Sequence, residues 1–114
     1  MTMTAFDRLE RCGIIPVVVL NDASDAVSTA KALLAGGVDG IFLLGTTGEG
    51  PHLPYAVREQ LVEVVCKEVK GKVPVLVGIT ETDLEDALAF AAKCRKFGAS
   101  GIVAAPPYYF KLTQ

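Results

Sequence analysis

The sequence has few of the residues that mark disulfide-bonded and metal-binding proteins. Its three cysteines, Cys12, Cys66 and Cys94, are widely spaced and form no Cys-x-x-Cys pair, so we predict neither a disulfide framework nor a zinc site. We expect Cys66 and Cys94 to be buried reduced thiols. The single histidine, His52, has no second imidazole or cysteine nearby, which favours a surface loop over a metal ligand. No metal and no other cofactor is predicted.

Long hydrophobic runs and an excess of one charge are also missing. The longest apolar run, Ile14–Leu20, is far shorter than the roughly 20 residues of a membrane span. Before it, Asp7, Arg8, Glu10 and Arg11 mix charges where a signal peptide has an apolar segment, so a cytoplasmic location is expected. The net charge of -2 gives no electrostatic footprint for nucleic acid or an anionic membrane, and the expected partner is a small molecule or another protein.

The chain does contain the pattern of a single α/β domain. Its 114 residues are 51% hydrophobic and 21% charged, which is enough for one core. Short apolar runs alternate with segments of helical spacing, as in parallel strands joined by helices. The predicted strands are Ile14–Leu20, Gly40–Leu44, Val73–Val77 and Gly101–Ala105, and the predicted helices are Ala23–Ala35, Pro54–Val69 and Asp83–Phe97.

The apolar spacing also predicts which helical residues face the core. Asp22 is expected to cap the first helix, and glycines near residues 36, 71 and 98 are expected to end the three helices. The predicted inward residues are Ala23, Val27, Ala30, Leu33 and Leu34, then Leu61, Val62, Val65 and Val69, then Leu84, Leu88, Ala91, Ala92 and Cys94.

Four such β/α units are compatible with two sheet architectures. An open doubly wound sheet needs about this length, whereas a (β/α)8 barrel needs roughly 250 residues, so the chain would be half of one. Length alone favours the open sheet. A half-barrel would leave two strand edges and its inner side chains uncovered, which predicts a homo-oligomer. The expected inner side chains are Val17, Val19, Phe42, Leu44, Val75 and Val77.

Two segments at the carboxyl ends of predicted strands could carry chemistry. The glycine-rich segment Gly45–Gly50 follows the second strand, and its hydroxyls and backbone N–H groups could hold a carboxylate or phosphate. It lacks the lysine of a P-loop and the spacing of a dinucleotide loop, and a plain turn is equally compatible. After the fourth strand, Tyr109 in the segment 105–109 could relay a proton, or could form a rigid aromatic corner.

These segments carry a family resemblance. The motifs Leu44–Glu49, Val75–Gly78 and Pro107–Tyr109 resemble, in order, the N-terminal half of the dihydrodipicolinate synthase and N-acetylneuraminate lyase family over residues 39–114. The resemblance implies a (β/α)8 TIM-type barrel that forms a Schiff base between pyruvate and a lysine. It further implies that Thr46 is a relay hydroxyl, that Thr47 and Gly48 hold the pyruvate carboxylate, and that Tyr109 reaches across a dimer interface.

The first 38 residues resemble the opening of another Schiff-base family, the 2-keto-3-deoxy-6-phosphogluconate aldolases. The similarity lies in Cys12–Leu20 and Ala30–Val38. Leu20-Asn21-Asp22 stands where the lyase family usually has Thr-Pro, and the segment 40–44 lacks the catalytic Glu of the aldolases. This pattern suggests a join near residues 37–40, either in a chimera or in a diverged member of one family.

The resemblance also implies that a catalytic group is missing, because both families place the Schiff-base lysine on the sixth strand, past residue 114. The other lysines are predicted on helices and solvated, and only Lys111 follows a strand on the catalytic side. We therefore expect the chain alone to be inactive. The alternatives are a non-catalytic, self-associating half-barrel and a small-anion-binding module on an open sheet. The acidic residues Glu81, Asp83, Glu85 and Asp86 are assigned to helix capping.

Overall fold

The computed structural model describes residues 4–11, 13–45, 50–81 and 83–105. The elements are α1 (Ala5–Glu10), β1 (Val17–Val18), α2 (Ala23–Ala35), β2 (Ile41–Leu43), a short 3-10 turn (Gly50–His52), α3 (Tyr55–Val69), β3 (Val75–Gly78), α4 (Leu84–Phe97) and β4 (Gly101–Val103). The predicted alternation of strands and helices is therefore confirmed. None of the described helices is long and apolar enough to cross a bilayer.

The strands form one parallel sheet in the order β1-β2-β3-β4. Helix α2 contacts α3, and α3 contacts α4, so the helices follow one another in the same order as the strands. A doubly wound sheet reverses its strand order at a switch point, whereas a (β/α)8 barrel keeps sequential order. The observed order is that of four consecutive units of a barrel, which corrects the preference for an open sheet that length alone gave.

The core lies between the sheet and the helices. Ile41 and Leu43 on β2 and Val75 and Val77 on β3 are almost completely buried there. They pack with the apolar stripe of α3, which the sequence predicted correctly: Leu61, Val62, Val65 and Val69. Each such side chain contributes about 1.5–3 kcal/mol by leaving water, so α3 is the main stabilising helix.

The predicted inner face of the sheet was partly wrong. In the parallel register Val17 is level with Phe42, and Phe42 with Leu76, so these side chains share the face that turns away from the helices. Val75 and Val77 alternate with Leu76 and point to the helix side instead. A continuous apolar run does not show which of its residues point to which face of the sheet. Shifting the assignment by one residue moves every side chain to the opposite face. Val17 and Val19 are exposed as predicted, at 43% and 46%.

The predicted inward face of α4 was also wrong in part. Leu84 and Leu88 are 72% and 58% exposed, and Ala92 is exposed, whereas Ala87, Phe90 and Cys94 are buried. The helix carries two apolar stripes, and only one of them contacts the sheet and α3. On α2 the same error is smaller: Val27 is 37% exposed and Ala26 is buried in its place.

The helix ends follow the expected chemistry except at the end of α3, where the C-cap residue is Lys70, with a φ of 51°, rather than Gly71. The carboxylates of Asp22 and Asp83 accept hydrogen bonds from backbone N–H groups in the first turns of α2 and α4, and this lowers the pKa of Asp22. Gly98 ends α4 with a φ of 105°, a conformation that glycine adopts without steric cost. Pro54 precedes α3 in an extended conformation, one residue outside the helix in which it was predicted.

Side chains tie two pairs of neighbouring strands, β1 with β2 and β3 with β4, at their amino ends. One carboxylate oxygen of Asp39, before β2, accepts from the backbone N–H groups of Gly13 and Ile14 at 3.1 and 2.7 Å. The hydroxyl of Ser100, before β4, accepts from the N–H of Val75 at 3.1 Å. These bonds fix the relative heights of the strands, and so they align the carboxyl ends at the opposite edge.

Candidate active site

The carboxyl ends of the strands lie together at one edge of the sheet. Leu44 and Gly45 follow β2, and Ile79, Thr80 and Glu81 follow β3. In barrels of parallel strands this edge carries the active site, because the loops that follow the strands converge there. The candidate site is therefore the surface formed by these loops.

The two ends of the glycine-rich loop after β2 are fixed. Leu44 adopts a left-handed conformation with a φ of 61°, which is uncommon for a residue with a side chain and turns the chain sharply away from the strand. The N–H of Gly50 donates to the carbonyl of Gly45 at 3.1 Å, which brings the loop back to its start. The predicted carboxylate-binding residues Thr46, Thr47 and Gly48 lie between these ends, outside the described residues.

Two glycines make this turn sterically possible. A Cβ atom at Gly50 would collide with the backbone of Leu44, and a Cβ at Gly78, the last residue of β3, would lie 2.5 Å from the Leu44 carbonyl oxygen. Both positions therefore require glycine. The backbone that opens the loop, at Leu44 and Gly45, lies directly against the end of β3.

Arg58 on α3 holds the returning end of the loop. Its side chain is buried, and its Nε donates to the Leu53 carbonyl at 2.8 Å while Nη2 donates to the Pro51 carbonyl at 3.2 Å. The third guanidinium nitrogen, Nη1, lies 3.5 Å from a carboxylate oxygen of Glu81. The guanidinium thus bridges the loop, helix α3 and the segment after β3.

Tyr55 completes this group. Its hydroxyl donates to the same Glu81 oxygen at 3.2 Å, and its ring lies 4.4 Å from the Arg58 guanidinium carbon and packs edge-on against Phe90 at 5.4 Å. Burial, followed by the negative charge of Glu81, raises the pKa of Tyr55. Tyr55 therefore remains protonated at neutral pH and serves as a hydrogen-bond donor.

Sequence reasoning missed Arg58 and misassigned Glu81. Arg58 is three residues before Leu61 on the buried stripe of α3, and a charged residue at such a position is the signal that could have identified it. Among the four acidic residues assigned to capping, Asp83 caps α4 as predicted. Glu81 lies before the helix and bonds with Tyr55 and Arg58 instead.

The described lysines and the histidine are exposed, as predicted. His52 lies in the 3-10 turn with an exposed side chain. Every described lysine is exposed, namely Lys31, Lys67, Lys70, Lys72, Lys93 and Lys96. A lysine that forms a Schiff base is desolvated in a pocket, and none of these lysines is buried. Lys111 and Tyr109 lie outside the described residues.

Cys66 and Cys94 are buried, as predicted, and free of disulfides. Burial raises the pKa of the Cys66 thiol to about 11 and that of the Cys94 thiol to about 12. Because the thiolate is the reactive form, these two residues are packing residues rather than nucleophiles. Within the described ranges there is no group of three histidine, cysteine, aspartate or glutamate side chains that could hold a metal ion.

Comparison with known proteins identifies relatives along most of the chain. The model of the dihydrodipicolinate synthetase family matches residues 21–114, a range that includes the predicted join at 37–40. The probable 2-dehydro-3-deoxy-D-pentonate aldolase YjhH of Escherichia coli (strain K12) is 39% identical over 107 residues, which cover 88% of this chain and 36% of that protein. The 4-hydroxy-tetrahydrodipicolinate synthase of Methanospirillum hungatei JF-1 is 43% identical over 84 residues, covering 74% of this chain and 29% of that protein.

A solved structure has a similar fold over most of this chain. YagE, a prophage protein of the dihydrodipicolinic acid synthase family from Escherichia coli K12, crystallised in complex with pyruvate, superposes with a TM-score of 0.81 at 31% identity. The superposition covers 90% of this chain and 37% of that one, so this chain spans between 29% and 37% of the length of these three relatives. The four β/α units correspond to part of a (β/α)8 barrel, and the chain belongs to the dihydrodipicolinate synthetase family.

Proposed function

We propose that this chain is the pyruvate-binding, N-terminal part of a Schiff-base lyase or aldolase that acts on 2-keto acids, and that it is inactive by itself. The observation that carries the proposal is the loop after β2, whose two ends are fixed at the carboxyl edge of the sheet in a chain whose relatives include an aldolase. The pyruvate complex of a family member supports the choice of ligand.

The proposed roles follow the family resemblance. The Thr47 hydroxyl and the Gly48 N–H donate to the pyruvate carboxylate, and Thr46 contributes a further hydroxyl. Glycine lets the backbone approach an anion closely, and hydrogen bonds to a charged acceptor are stronger than those to a neutral one. Thr46 and Tyr109 relay a proton to or from the carbon next to the Schiff base, a step that requires a lysine from the remainder of the barrel.

Titration of the chain with pyruvate, followed by calorimetry, tests this proposal. Replacing Thr47 by Val keeps the shape but removes the hydroxyl, and should weaken binding by about 0.5–1.5 kcal/mol or somewhat more, because the acceptor is charged. Replacing the exposed Gln60 of α3 by Lys is the matched surface control. Absence of pyruvate binding at tens of millimolar would contradict the proposal.

We further propose that a second copy of the chain covers the two open edges of the sheet. The large exposed apolar side chains of the described residues lie on α1, on or close to β1 in sequence, and on α2, α4 and β4, namely Phe6, Ile14, Val17, Val19, Val27, Leu84, Leu88 and Ile102. Because all strands run parallel, β4 of one copy can pair with β1 of another in the same direction. Two such pairings close a two-fold, eight-stranded arrangement.

A further inference from the structure

The segment that follows the loop after β2 is bonded by one side chain that neither the family resemblance nor the sequence analysis singled out. Arg58 is 6% exposed and is the one charged residue buried among those the structure describes. Burying a guanidinium is costly unless its N–H groups find acceptors. Two of its three nitrogens donate to the backbone carbonyls of Pro51 and Leu53, which belong to the segment that returns from the loop.

The third nitrogen links this segment to the next strand. Nη1 of Arg58 lies 3.5 Å from an oxygen of Glu81, which also accepts from the Tyr55 hydroxyl at 3.2 Å. The Tyr55 ring packs under the guanidinium, which orients its plane. Arg58 therefore connects the returning loop, α3 and the end of β3, while the Gly50–Gly45 hydrogen bond transmits the position of the returning segment to the start of the loop.

We propose that Arg58 is a positioning residue for the carboxylate-binding loop. By holding the carbonyls of Pro51 and Leu53, it fixes the separation of the loop's two ends, and this separation sets the affinity for a 2-keto acid carboxylate. The proposal rests on the proposed function for its ligand. Arginine is required because a planar fork of donors reaches two carbonyls and a carboxylate at once, whereas a lysine ammonium is a single point.

The test uses pyruvate titrations of the full chain followed by NMR. Arg58→Met keeps the length of the side chain and removes all donors, and Arg58→Lys keeps only the charge. We expect about a tenfold loss of pyruvate affinity for Arg58→Met, the equivalent of one charge-assisted hydrogen bond. Lys93→Gln is the matched control, because Lys93 bonds Glu59 at 2.7 Å and links α4 to α3 without contacting the loop. This control should bind pyruvate as the unmodified chain does.

Amide hydrogen exchange separates this proposal from the proposed function. In Arg58→Met the Gly50 amide should exchange at least about tenfold faster, while the Val65 amide in the middle of α3 should not change. Unchanged Gly50 exchange would overturn the proposal whether or not pyruvate binds. If the unmodified chain binds no pyruvate, the proposed function fails, and faster Gly50 exchange still supports the positioning of the loop.

A purely stabilising role gives a different result. If Arg58 only stabilises the fold, Arg58→Met has a lower melting temperature but the same pyruvate affinity and the same Gly50 amide exchange in the folded chain. This outcome overturns the proposal. If Arg58→Met does not fold, Arg58→Lys and Glu81→Gln provide the same measurements. Glu81→Gln should have the smaller effect, because both carbonyl bonds of Arg58 remain.

Discussion

The carbonyl oxygen of Leu44 lies so close to Gly78 that a Cβ atom at Gly78 would be 2.5 Å from it. This contact joins the first residue after β2 to the last residue of β3. It leaves no room for a side chain at the end of β3, beside the left-handed turn at Leu44 with which the loop that is proposed to bind pyruvate begins.

Replacing Gly78 by Ala should therefore displace Leu44 and the start of the loop. We expect a loss of about 1–3 kcal/mol in the free energy of unfolding, the usual cost of overpacking, together with weaker pyruvate binding. Gly36→Ala is the control, because its φ is -74° and its Cβ would have a nearest contact of 3.4 Å. Urea unfolding measures both variants. Equal free energies of unfolding for Gly78→Ala and Gly36→Ala would show that the Leu44 carbonyl does not exclude a side chain at Gly78.

The chain alone should form no Schiff base. Pyruvate and borohydride, followed by intact-mass measurement, should give no adduct, because every described lysine is exposed, whereas a lysine that forms a Schiff base is desolvated in a pocket. A full-length family lyase is the positive control. A single stoichiometric adduct, mapped to Lys111 or to another lysine, would show that the chain builds its own Schiff-base site.

The two open edges should associate. Sedimentation of the chain at high micromolar concentration should give a two-fold oligomer. Ile102→Lys, on the 48% exposed side chain of β4, should shift it toward monomer, because a charge at the edge opposes strand pairing. Gln60→Lys adds the same charge on the exposed side of α3 and should leave the mass unchanged. A monodisperse monomer of the unmodified chain would mean that no second copy covers the edges.

The buried thiols should make stability depend on alkaline pH. Burial raises the pKa values of Cys66 and Cys94 from 9.0 to about 11 and about 12, so above pH 9 the unfolded chain loses thiol protons that the folded chain retains. The contribution of the two thiols to the free energy of unfolding should therefore be constant well below pH 9, and the free energy should decrease as the pH rises from 9 toward 11.

Urea unfolding under reducing conditions at a series of pH values measures this decrease. A variant in which both residues are replaced by Ala loses core contacts and is less stable at every pH, but its decrease above pH 9 should be smaller. Parallel curves for the variant and the unmodified chain would show that these thiols do not contribute to the pH dependence.

Much of the fold was determined locally by the sequence. The carboxylates of Asp22 and Asp83 cap their helices through bonds to backbone N–H groups two residues along the chain, so these caps do not depend on how the helices pack. The spacing of Leu61, Val62 and Val65 likewise identifies the buried face of α3 without knowledge of its neighbours. The short capped helix α1 was not predicted, although Thr4 and Asp7 bond each other's backbone N–H groups, which is a local signal.

The glycine-rich loop was also identified from sequence as the candidate anion site, because glycines and hydroxyls after a strand are a local pattern. Its predicted ligands Thr46, Thr47 and Gly48, and the predicted relay residue Tyr109, stay predictions. What the sequence could not indicate was how the loop is held. The carbonyls that bind Arg58 lie five and seven residues before it, whereas Glu81 lies 23 residues after it.

Only the tertiary structure decided the order of the strands, the phase of β3 and the exposed face of α4. Val75 and Val77 face the helices because the register with β2 places them there, and Leu84 and Leu88 are exposed because α3 and the sheet contact the other side of α4. Local chemistry determines which residues form a helix, a strand or a cap. Which apolar face is buried, and which charge becomes a buried anchor, depends on neighbours that are distant along the chain.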